Sequence, residues 1–115
     1  MNTTPHFPND ENGRVLRQMY DGGDDLTKSR LVDFCFVFPD REQALAFIRD
    51  VDDKEVETCL SWYRAKSSWQ VIVKRRMVPN HTDITALEVN LTLKAKKVGG
   101  QADGWGCMQV PPAPQ

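Results

Sequence analysis

Leu31-Val32-Asp33-Phe34-Cys35-Phe36-Val37-Phe38, closed by Pro39-Asp40, is the stretch that decides the fold. In an extended chain successive side chains point to opposite sides, so Val32, Phe34, Phe36 and Phe38 share one face. Leu31, Asp33, Cys35 and Val37 share the other. Three phenylalanines on one face need a cover, and packed helices are the natural one. The second face is less apolar but still unsuited to an edge, which places this strand in the middle of a sheet.

Downstream, Asp40 with Gln43 three residues on makes a start like a capping box. The helix it opens carries Ala44, Leu45, Phe47, Ile48 and Val51 on its apolar stripe. Asp50, Asp52 and Asp53 oppose the helix dipole and set its end near Val51. Glu55–Arg64 and Trp69–Val78 alternate with period two around Ala65-Lys66-Ser67-Ser68, which reads as a hairpin. Pro79-Asn80 breaks the second strand. A long helix capped by Asn80 or Thr82 follows, with Ile84, Leu87, Leu91, Ala95 and Val98 on its buried side. Gly99-Gly100 ends it, and Trp105–Val110 is expected as a last short strand. Upstream, Asn9 or Asp10 caps a helix bearing Val15, Leu16, Met19 and Tyr20, stopped by Asp21-Gly22-Gly23-Asp24.

The element order is therefore an extra helix followed by β-α-β-β-α-β. Short right-handed connections fold that order into a four-stranded antiparallel sheet, strand order 4-1-3-2, with both later helices on one face. The fold class is α+β, a ferredoxin-like sandwich with an added N-terminal helix. One domain is expected over residues 9–110, between loose tails at 1–8 and 111–115 rich in Pro and polar residues.

Composition narrows the functional classes. The chain has 115 residues, suited to a single core. With 15 basic and 16 acidic residues the net charge is −1, so no long-range field draws in nucleic acid or an anionic membrane. Cys35, Cys59 and Cys107 are odd in number and widely spaced, and fit neither a CxxC metal site nor a disulfide framework. They are expected as reduced residues of the core or sheet. The first eight residues hold no apolar run of a signal peptide, and Phe34–Phe38 is far too short to span a bilayer. A cytoplasmic location without membrane attachment follows.

The last helix–strand junction reads Gly99-Gly100-Gln101-Ala102-Asp103-Gly104-Trp105-Gly106-Cys107. This resembles the closing signature of the bacterial family of regulators of ribonuclease E activity B (RraB), where Gly-x-x-Asp-Gly-Trp-Gly follows the last helix. Asp21-Gly22-Gly23-Asp24, the Asp33–Phe38 strand with its Phe-Pro ending, and the Met77-Val78-Pro79 step fit the same family. The resemblance covers about Asn12 to Val110. It implies a ferredoxin-like fold and a non-catalytic protein that inhibits ribonuclease E, binding the enzyme outside its catalytic centre, with no cofactor. Better-known members are strongly acidic and carry a run of Asp and Glu after the last strand. Here that place is taken by Val110-Pro111-Pro112-Ala113-Pro114-Gln115.

Two residue sets are candidates for function. In Asp103, Gly104, Trp105 and Gly106 the glycines permit positive φ, Asp closes a turn, and Trp buries a large ring while seeking a partner for its N–H. They read as a tight structural corner with Trp105 packed on the last helix, or as an interface anchored by that Trp. The second set is Arg64, Lys66, Lys74, Arg75 and Arg76, with Trp62, Tyr63 and Trp69 nearby. Alternating charges of this kind read first as a solvated sheet face that resists edge pairing. Basic residues interleaved with aromatics also suit a protein partner or, as the alternative, single-stranded RNA. Asp21, Asp24 and Asp25 lack the ligand spacing of a calcium loop. His6, His81, Ser67-Ser68 and Glu55, Glu57 and Glu88 form no triad, ligand set or acid pair legible in sequence. No enzyme mechanism emerges.

Overall fold

The computed structural model describes residues 6–111. In chain order it contains α1 (Glu11–Asp21), β1 (Arg30–Phe38), α2 (Arg41–Asp50), β2 (Val56–Tyr63), a 3₁₀ turn (Arg64–Lys66), β3 (Ser68–Met77), α3 (His81–Lys97) and β4 (Gln101–Cys107). The four strands form one antiparallel sheet in the order β2-β3-β1-β4. Read from the other edge this is the 4-1-3-2 order expected from the sequence.

The alternation of β1 explains the layering. Val32, Phe34, Phe36 and Phe38 are each at most 1% exposed. They join Leu16 of α1, Ala44 and Phe47 of α2, and Ile84, Leu91 and Ala95 of α3 in one core. Phe47 contacts the rings of Phe36 and Phe38 at centroid distances of 5.0 and 5.1 Å. Each such side chain contributes about 1.5–3 kcal/mol by leaving water. All three helices draw their buried residues from this one cluster, so among the described residues the opposite face of the sheet carries no helix.

Side-chain caps start all three helices. Asp10 accepts from the Gly13 amide, Asp40 from Gln43 and Asn80 from Asp83, at 2.8, 2.9 and 2.8 Å. Each satisfies an amide that the helix itself leaves without a partner.

The last strand departs from expectation, starting at Gln101 instead of Trp105 and ending at Cys107 instead of Val110. The cause lies at Gly100, where a Cβ would stand 2.2 Å from the Phe38 ring. Lacking that atom, the chain turns flush against the end of β1 and pairs at once, Gln101 opposite Val37. At the N-terminal end Phe7 meets Tyr20 of α1 at 5.9 Å and packs on the core, so this part of the expected loose tail is docked. The rest of that tail, 1–5, and positions 112–115 lie outside the described residues. No helix among the described residues is long and apolar enough to cross a membrane.

Candidate functional site

The signature lies inside β4 and not at a helix-to-strand corner, which is formed by Gly99-Gly100. Trp105 pairs with Phe34 and Ala102 with Phe36, so Asp103 and Gly104 together oppose the single residue Cys35. That is a β-bulge, and Gly104 holds it with φ of +99°. The extra residue resets the alternation of the strand. Trp105 is thereby aimed at the helices, while Asp103 and Gly106 fall on the open face.

Trp105 is partly buried against the core, and α1 holds its polar tip. Its indole N–H donates to Asn12 Oδ1 at 2.9 Å. The Asn12 amide donates in turn to Thr85 Oγ1 and Glu88 Oε1, both at 3.1 Å. Asn12 thus ties β4 to both α1 and α3. No local signal marked it, because its partners stand more than seventy residues away in the chain.

A second anchor fixes the end of β4. Arg30 is 4% exposed and its guanidinium contacts both carboxylate oxygens of Asp24 at 2.8 Å. The same guanidinium donates to the carbonyls of Met108, Asp25 and Lys28. The Asp25 amide donates to the Val110 carbonyl at 2.7 Å. Asp24, expected only as part of a helix-ending turn, is thus half of a buried ion pair that seats residues 108–110.

Between these anchors the open face is grooved. Leu31, Asp33 and Cys35 of β1, Lys74 of β3, Gly106 of β4 and Met108 line an open depression of about 560 Å³. Leu31 and Met108 are 40% and 81% exposed, large apolar side chains presented to solvent. Burial pushes the Cys35 and Cys107 thiols upward, with the Asp33 carboxylate adding to the effect at both. All three cysteines are free, and each lies in a strand. Raised thiol pKa values leave Cys35 and Cys107 protonated and weakly nucleophilic at neutral pH.

The five basic residues do not make one patch. Strand alternation puts Lys74 and Arg76 on the open face and Arg75 on the helix side, where it bonds Glu55 at 2.9 Å. Lys74 stands 3.6 Å from Asp33. Lys66 reaches across β1 to Asp103 of the signature, and this bond raises the Lys66 pKa. Arg64 and Arg76 are exposed. Trp62 and Trp69 stack edge to face at 5.4 Å on the helix side, away from Lys74 and Arg76. Among the described residues no three His, Cys, Asp or Glu side chains gather as a metal-ion cluster.

Three helices on one face of a four-stranded antiparallel sheet, with the other face grooved and free of any described helix, define an α+β domain with one open sheet face. The family model of the regulators of ribonuclease activity B (RraB) matches residues 9–107, and the chain belongs to that family. The match runs from the cap of α1 to the end of β4, and membership places the chain's role in the regulation of ribonuclease activity. No curated protein and no solved structure matches the chain significantly.

Proposed function

We propose that this chain inhibits a ribonuclease E-type endonuclease by protein–protein binding, without catalysis of its own, through the open face of its sheet. The observation that carries the reading is the groove beside the signature bulge, with Leu31 and Met108 exposed at its rim and no described helix above it. Exposed apolar side chains rimmed by polar residues are the composition of a docking surface. In this reading Asp103–Gly106 are architectural. The bulge turns Trp105 onto Asn12 and leaves Asp103 to Lys66, which together set the floor of the groove. The element order and strand order support a ferredoxin-like description of the domain over residues 9–110.

Direct RNA binding by Arg64, Lys66, Lys74, Arg75 and Arg76 is the weaker reading, because Lys66, Lys74 and Arg75 are already paired with acids. Binding to the purified endonuclease tests the choice. Leu31→Asp and Met108→Asp are expected to weaken capture at least tenfold without changing the thermal melt. Full capture by both variants would refute the open face as the interface. RNA affinity that falls steeply with salt, and is lost in Lys74→Ala and Arg76→Ala, would favour the RNA reading.

A further inference from the structure

α3 lies between α1 and α2 on the far side of the molecule from the groove. Ile84, Leu91 and Ala95 bury its inner face, yet its outer face is also apolar. Val89 and Leu93 are 54% and 64% exposed, and Ala86 is exposed beside them. These residues sit on a seam, Asp83-Ala86-Asn90-Leu93-Lys97, whose alternating steps of three and four keep one side of a helix in register with a neighbour. Every member of the seam is exposed.

The seam is complementary to itself when reversed. Turned about Asn90, Asp83 meets Lys97, small Ala86 meets large Leu93, and Asn90 meets its own copy. Val89 then lies against Val89. An acid at the start and lysines at the end also match antiparallel helix dipoles. We propose that a second copy of this chain covers α3, forming an antiparallel two-fold dimer. A two-fold contact requires this relation, in which residue i meets j and j meets i. The helix that carries the seam is about 25 Å long, 17 residues at 1.5 Å each, so the buried area sits at the low end for specific interfaces. The dimer is correspondingly weak, with Kd on the order of 10–100 μM. Both grooves face outward in it, so the dimer is bivalent towards any partner of the open face.

Sedimentation of the full chain from about 1 to about 500 μM, spanning that range, tests the proposal. It should show reversible dimerisation, abolished by Leu93→Glu with an unchanged melt. Asp83→Lys and Lys97→Asp should each sediment as monomers, since each homodimer then opposes like charges at both ends. Mixed one to one they should dimerise, because both ends of the hetero-pair set a lysine of one chain against an aspartate of the other. A chain that stays monomeric throughout, leaving the stripe to another partner, would overturn the proposal. So would a dimer insensitive to Leu93→Glu, or a mixture of the two charge variants that stays monomeric.

Discussion

Replacing Asp24 with Ala strands the Arg30 guanidinium in the interior. The Arg30 and Asp24 side chains are 4% and 0% exposed, so water cannot take over from the lost carboxylate. Removing one partner of a buried ion pair costs about 3–5 kcal/mol. The three backbone carbonyls that Arg30 already serves offset part of this, which puts the expected loss near the lower end, about 3 kcal/mol. For a domain of this size that lowers Tm by about 10–15 °C. In urea the midpoint should fall by about 2 M at constant slope, since the extent of unfolding is unchanged. The double variant Asp24→Ala/Arg30→Ala should cost less than the two single losses added, by about 0.5–3 kcal/mol, because the residues share one network. A loss below about 1 kcal/mol for Asp24→Ala, or strict additivity, would refute the reasoning that the pair seats residues 108–110.

Other consequences are smaller. Trp105→Phe keeps the ring but removes the donor to Asn12, and should cost about 1 kcal/mol in urea unfolding. Gly100→Ala should cost about 1–3 kcal/mol by driving a methyl into the Phe38 ring, whereas Gly106→Ala meets open space and should be near neutral. Acid titration should reveal Asp10, whose pKa is lowered by the Gly13 amide and then by the His81 side chain. A depressed folded-state pKa adds stability above the unfolded carboxylate value and loses it as pH falls through the folded one, so Asp10→Asn should flatten the unfolding profile below about pH 4.

What the sequence discloses and what it hides divide along a physical line. β1 was legible because four residues at period two are either all buried or all exposed, and only burial suits three phenylalanines. The caps Asp40 and Asn80 were legible because capping is local. The start of β4 was not, since Gly99-Gly100 and Asp103-Gly104 both look like turns and only the ladder with β1 makes the second a bulge. Lys74, Arg75 and Arg76 look contiguous in sequence, but alternation separates them, and the acids that neutralise the basic set come from Asp33, Glu55 and Asp103. Asn12 acts through partners far along the chain, as does Arg30 in its bond to the Met108 carbonyl, and no window of sequence contains both ends of those contacts.

The most direct test of the functional account is cleavage of a defined RNA by a purified ribonuclease E-type endonuclease, titrated with this chain. The account predicts a saturable fall in rate that is lost with Leu31→Asp while the thermal melt of the variant is retained. Unchanged cleavage at saturating chain, or equal inhibition by Leu31→Asp, would contradict it.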